Sequence, residues 1–208
     1  MNFIKQKTIV IIMLLCSLVL ESKAQIHKKN TFYISAAAGL ARAEDGLQFL
    51  KKTDATQWAP MVNIGVGYKL FKNISLELNS SFMVTNLKAE GTLVTNNEKV
   101  EVKANHANIF FNSSFNLPIN ERSELFFKPG IGLLFSNSEI TSTSSAAKID
   151  KSVSNVGFVV TLGYMKRITN KLALTTQFDF SDSYGSKEVW EGDLGLLSVG
   201  IKYAINND

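Results

Sequence analysis

A two-residue rhythm runs through this chain, and it excludes most folds. In segment after segment, large apolar side chains alternate with glycine, serine, alanine and asparagine. Along Leu194–Ile205, the residues Leu197, Val199, Ile201, Tyr203 and Ile205 share one face of an extended strand. Leu196, Ser198, Gly200, Lys202 and Ala204 share the other. A large apolar face backed by a small or polar one suits a wall between lipid and a packed interior. No segment carries a competing helical period of 3.6.

The rhythm recurs in eight segments: Thr31–Arg42, Met61–Phe71, Ile74–Thr85, His106–Leu117, Glu124–Ser136, Asn155–Met165, Leu172–Ser181 and Leu194–Ile205. Each is close to the roughly 9–11 residues that a tilted membrane-spanning strand requires. The connections alternate in length. Short polar turns lie at 72–73, 118–123 and 166–171, and longer stretches at 43–60, 86–105, 137–154 and 182–193. Outer-membrane barrels are built this way, with short turns on the periplasmic side. The stretch from Ser136 to Ser154 is rich in Ser and Thr and reads as a flexible loop.

One face collects Ile34, Val62, Ile64, Val66, Leu76, Leu78, Phe82, Ile109, Phe111, Phe127, Ile131, Leu133, Phe158, Leu162, Leu174 and Phe178. No position on this face is charged, although 19% of the chain is. A lysine or arginine at mid-bilayer costs about 2–4 kcal/mol. The opposite face is rich in small and polar residues, among them Asn63, Gly65, Gly67, Asn79, Asn112, Ser114, Gly130 and Gly163. A soluble lipocalin-like barrel needs the reverse arrangement, a charged exterior around an apolar cavity. Tyr68, Phe71, Phe115, Tyr164 and Tyr203 near the short turns, and Trp58, Phe135, Phe180 and Trp190 near the long loops, suit interfacial belts.

Between the third and fourth segments, Asn96-Asn97 suits a two-residue type I′ turn. That turn sets Thr95 opposite Glu98 and Val84 opposite Ile109, with no bulge. Above the membrane the polarity inverts. Leu87, Leu93, Val100, Val102 and Ala104 turn inward, and Lys88, Glu90, Lys99, Glu101 and Lys103 turn outward. The third and fourth strands are therefore expected to form one long hairpin that projects beyond the membrane.

The N-terminus reads as a secretory signal peptide over residues 1–24, followed by one barrel domain over 25–208. Lys5 and Lys7 precede the apolar run Thr8–Leu20, which ends at the A-x-A-like Ser22-Lys23-Ala24. Cys16, the single cysteine, lies inside that segment, so the mature chain has no disulfide, thiol nucleophile or zinc–cysteine site. Cleavage leaves 19 Lys and Arg against 17 Asp and Glu, too even a balance to argue for nucleic acid.

These features resemble the eight-stranded outer-membrane β-barrel proteins, the OmpX and OmpA transmembrane-domain type. Ser198-x-Gly200-x-x-Tyr203-x-Ile205 is similar to the C-terminal signal read by the barrel-assembly machinery, with Asn206-Asn207-Asp208 as an added polar tail. The resemblance implies an all-β, antiparallel up-and-down barrel in a bacterial outer membrane. Its partners would be membrane lipid and, during insertion, that machinery. It does not imply one activity, since the same fold hosts anchors, adhesins, small channels and lipid enzymes.

The inward charges are Lys69, Glu77, Glu124, Lys128, Asp179 and Lys202, three of each sign. Unpaired buried charge is costly, so the set reads as a hydrogen-bonded plug, with Glu77 paired to Lys128 or Lys202. An ion path gated by the same pairs is the alternative. His106 falls near the upper rim and faces inward. Outer-membrane lipid enzymes work instead at the lipid-facing surface with a serine and a carboxylate, so no catalytic residue is assigned. His27 and His106 are too far apart in sequence to suggest a metal site, and no cofactor motif is present. The sequence thus supports a monomeric, non-enzymatic barrel with a structural or surface-interaction role. A narrow channel and a lipid-modifying enzyme remain the alternatives.

Overall fold

The computed structural model describes residues 31–43, 50–56, 58–93, 97–142, 148–183 and 194–205. The signal-peptide segment lies outside the described residues, as do Trp190 and the polar tail. Among the described residues, ten strands form one antiparallel sheet. They are β1 (Thr31–Ala43), β2 (Leu50–Thr56), β3 (Trp58–Phe71), β4 (Ile74–Met83), β5 (Leu87–Leu93), β6 (Lys99–Asn120), β7 (Ser123–Ser142), β8 (Lys148–Arg167), β9 (Leu172–Ser183) and β10 (Leu194–Ala204).

Eight of these close a ring in the order β1-β3-β4-β6-β7-β8-β9-β10. The first and last strands seal it, with Ala36 opposite Ile201 and Ala38 opposite Val199. Every strand of the ring thus has two neighbours, which abolishes the sheet edges that lipid could not satisfy.

The two faces are inverted relative to a soluble barrel. Val199 is 61% exposed, whereas Glu77 is 2% exposed. Ile64, Val66, Leu78, Phe111, Ile131, Leu162 and Leu197 also lie on the outside, while Ser75, Asn112, Ser114, Gln177 and Ser198 are buried within. A continuous apolar exterior on this scale needs lipid to cover it.

Glycine makes room for large inward side chains. A Cβ on Gly67 would overlap the Tyr33 ring, and one on Gly163 would overlap the Phe126 ring. Each glycine faces its aromatic directly across a strand pair. The short turns are locally closed. The Asn120 side chain accepts from the Arg122 amide at 2.9 Å, and the Thr169 hydroxyl accepts from the Leu172 amide at 3.0 Å.

The long-loop end differs from the sequence expectation in two ways. First, β7 and β8 continue to Ser142 and from Lys148, so most of Ser136–Ser154 is strand rather than flexible loop. Its Ser and Thr residues alternate with Ile140, Ile149 and Val153 in a paired ladder. Second, the hairpin register is shifted. Leu93 and Glu98, not Thr95 and Glu98, close the β5–β6 turn, with the Leu93 amide donating to Glu98 at 2.8 Å. Thr95 and Asn96 lie outside the described residues, and Asn97 takes the left-handed conformation (φ 56°) that asparagine tolerates.

Further down, Val84–Asn86 leave the ladder. Ile109 consequently faces Ser80 instead of Val84. Asn105 ties this break together, donating to the Asn86 side chain at 3.0 Å and to the Met83 carbonyl at 3.5 Å. Each slip is an even number of residues, so the face assignment survives.

The break redirects the chain. β4 pairs with β3, but β5 pairs with β2. Above the ring, β2, β5 and the upper parts of β6, β7 and β8 form a five-stranded extension. β6 is 22 residues long against 13 for β1, so the barrel is far taller on one side. Leu87, Ala89, Val100, Val102 and Ala104 are buried on the inner side of this extension. They pack with Met61 and Met83, and with Leu194 and Leu196 from the opposite wall, as an apolar core over the lumen.

Candidate functional site

The lumen is the one place where the ring brings charged groups together, and Glu77 is its centre. Glu77 comes from β4 with its carboxylate fully enclosed. Lys128 Nζ from β7 lies 2.7 Å from Oε2, and Lys202 Nζ from β10 lies 3.0 Å from Oε1. The Tyr33 hydroxyl donates to Oε1 at 2.6 Å, and Asn79 Nδ2 donates to Oε2 at 3.3 Å. Four donors from β1, β4, β7 and β10 therefore converge on one carboxylate. The lysines also lie against rings, Lys202 at 3.7 Å from the Tyr33 centroid and Lys128 at 4.6 Å from that of Phe126.

The remaining expected charges occupy two other levels. Asp179 sits nearer the extracellular end and accepts from Gln177 Nε2 at 3.0 Å. Lys69 and Glu124 sit at the periplasmic mouth. Glu124 pairs with Arg167, a residue that the sequence placed in a turn. Tyr33 and Arg167 are the participants the sequence reading missed. Tyr33 was legible in principle, because it is the inward residue of β1 directly opposite Gly67.

The space left over is unevenly distributed. Around and above the Glu77 cluster, among the described residues, lie cavities of about 20 Å³, each with room for about one water. Below the cluster, a vestibule of about 540 Å³ opens to the periplasmic end. Residues from all eight ring strands line it, including Tyr33, Lys69, Ser75, Asn116, Glu124 and Lys202. The apolar core closes the other end.

His106 shares the inward face of β6 with Val102 and Asn108, away from lipid. A serine does stand beside it, since Ser136 is its cross-strand neighbour. The buried His106 Nε2 and Ser136 Oγ nevertheless do not bond each other. Among the described residues, no group of His, Cys, Asp and Glu could hold a metal ion.

Of the four residues resembling an assembly signal, Ser198 and Gly200 face the lumen side of β10, while Tyr203 and Ile205 are exposed outside. The Ile205 amide donates to the Phe32 carbonyl at 2.8 Å, at the seam where the last strand meets the first.

On the extracellular extension, Lys148 lies 3.0 Å from Glu139 and 3.3 Å from Asp150. Its hydrogen bond holds the Glu139 carboxyl below the usual carboxylate range. The outward face there mixes both signs, with Lys88 opposite Lys103, Glu90 opposite Glu101 and Lys103 opposite Glu139.

Comparison with solved structures gives the same architecture. A major outer membrane protein of Thermus thermophilus superimposes with a TM-score of 0.61 at 9% identity, covering 86% of this chain and 100% of that one. Ail, the attachment invasion locus protein of Yersinia pestis, gives 0.54 at 10% identity, covering 86% and 100%. Neisserial surface protein A gives 0.51 at 13% identity, covering 85% and 99%. At these identities the likeness shows the fold alone. No curated sequence matches the chain. The family profile described as the OmpA-like transmembrane domain matches residues 27–208, and the chain belongs to that family of outer-membrane β-barrels.

Proposed function

We propose that this protein is a non-conducting outer-membrane barrel that displays its extracellular sheet for contact with another surface. One observation carries the reading. β6, β7 and β8 run well past the lipid-facing band into a five-stranded extension with its own buried core. A barrel that only anchored itself would have no use for an ordered sheet above the membrane. β9 joins β8 only from Gly157 downward, so the described sheet ends on β8 above that level. Binding surfaces commonly sit on segments held by a rigid scaffold. Ail, one of the structural neighbours, is named for attachment and invasion and has been solved with the heparin analogue sucrose octasulfate. That is a property of Ail and supports the reading here only by analogy of fold.

The channel alternative is disfavoured by the same structure. The Glu77 cluster and the apolar core lie in series along the axis, and the cavities beside the cluster are water-sized. Among the described residues, His106, the strand histidine, faces inward and not the lipid-facing wall, which gives lipid chemistry no support. Delivery by the signal peptide and insertion through the Ser198-to-Ile205 signal complete the proposal, with membrane lipid and the assembly machinery as partners.

The test compares cells carrying the full chain with cells whose extension is shortened, 88–103 and 138–152 each being replaced by a tight turn. Both forms are first shown to reach the outer membrane. Adhesion to a panel of protein- and polysulfate-coated surfaces should rise with the full chain and fall at least fivefold with the shortened one. Equal adhesion by both, or none above cells lacking the protein, would remove the surface-contact role. A steady single-channel conductance in planar bilayers would favour the channel instead.

A further inference from the structure

We infer that the periplasmic vestibule is a binding site for a small multivalent anion carrying two or more carboxylate or phosphate groups. The inference is independent of the extracellular role, because it concerns the opposite end of the lumen.

Charge balance is the starting point. The six lumen charges read from the sequence cancel. The structure adds Arg167 and Lys171 to the vestibule wall, and no acid joins with them. Along the vestibule and the Glu77 cluster, the cations are then Lys69, Lys128, Lys171, Lys202 and Arg167. The carboxylates are Glu77, Glu124 and Asp179. Glu124 is committed to Arg167, and Glu77 is shared between two lysines. Lys69 on β3 and Lys171 in the β8–β9 turn therefore line the vestibule with no carboxylate at ion-pair distance among the described residues. The vestibule floor holds Lys202, whose counter-charge is divided.

Geometry supports the same conclusion. The volume of about 540 Å³ lies within the range typical of small-molecule sites. Neutral donors sit among the cations, from the Ser75 hydroxyl on β4 and the Asn116 amide on β6. The walls are rigid strands of a closed ring, so the groups are held in place before any ligand arrives. The apolar, lipid-facing exterior of the ring lowers solvent screening toward the floor, which strengthens attraction for an anion that enters. Two anionic groups are needed to meet Lys69 and Lys171 near the mouth and Lys202 at the floor together.

The test uses the full mature chain folded in non-ionic detergent micelles at low ionic strength. Sodium citrate and sodium pyrophosphate are titrated separately by calorimetry. Saturable binding at one site per chain is expected for at least one of them. Lys69→Gln and Lys171→Gln should each weaken it at least fivefold, and Lys88→Gln on the extracellular extension should leave it unchanged. Lys171 lies in an exposed turn, so its variant reports on the site even if Lys69→Gln fails to fold.

Repeating the titration in nanodiscs distinguishes sources of the anion. A fivefold or greater loss in nanodiscs containing cardiolipin, whose headgroup carries two phosphates, relative to phosphatidylcholine alone, identifies a lipid headgroup as the natural occupant. Equal affinity identifies a soluble anion, and either result keeps the site. Absence of saturable binding by both probes would overturn the inference, as would equal weakening by Lys88→Gln.

Discussion

Glu77 shows how far a single residue could be read in advance. Alternation put it on the inward face, and the cost of unpaired buried charge gave it Lys128 or Lys202 as a partner. Its surroundings explain why the rest was hidden. Tyr33 looks like one more strand aromatic until the ladder sets it over Gly67, and Arg167 looks like turn polarity until β8 is seen to continue through it. Three predictions belong at this scale. Glu77→Gln leaves two enclosed lysines sharing an uncharged partner and should cost about 3–5 kcal/mol, read from urea unfolding in lipid vesicles. Replacing Glu77, Lys128 and Lys202 together by Met should cost far less, because no charge is then stranded. Tyr33→Phe removes one hydrogen bond to a carboxylate and should cost about 1.5–3 kcal/mol in the same assay. A negligible effect of Glu77→Gln would mean that the cluster does not hold the lumen.

Among the elements, the β5–β6 hairpin is the most instructive. Its faces were legible because polarity inverts where the chain leaves lipid, and an even register slip cannot disturb that pattern. Its register was not legible, because Asn96-Asn97 fits a two-residue turn as well as the end of a longer one. Likewise, Ser and Thr between Ser136 and Ser154 read as loop because solvent-facing strands have no need of the apolar periodicity that marks spanning ones. Asn97→Val should destabilise the hairpin by about 1–2 kcal/mol, since a β-branched residue resists the left-handed conformation, whereas Asn97→Gly should be tolerated. Leu87→Ala should cost about 2–5 kcal/mol of local stability, seen as faster amide exchange and protease cleavage across 88–103 with the spanning strands unaffected. The Glu139–Lys148 contact adds a small, salt-sensitive pH dependence. A carboxyl whose folded pKa is depressed stabilises fully above its unfolded value, and that contribution disappears as pH falls through the folded one. Exchange at the tips of β7 and β8, corrected for its intrinsic pH dependence, should therefore quicken below the usual carboxylate range. Lys148→Gln should abolish that change.

For the whole molecule, the ring follows from one physical demand. Every backbone group within lipid must be satisfied by the protein itself, so β1 has to meet β10. That demand is written in the uncharged face of the sequence, which is why the eight ring strands and their spanning positions were legible there. The asymmetry of height was not. It depends on β2 and β5 pairing with each other above the membrane, a long-range choice that local pattern does not encode. Closure leaves no edge among the eight ring strands from which the fold could unzip, so resistance to detergent is expected. The most direct measurement is outer-membrane fractionation followed by electrophoresis with and without heating. The account predicts recovery in the outer membrane and a mobility shift between the unheated and heated forms. Recovery as a soluble periplasmic protein with identical mobility in both lanes would contradict it.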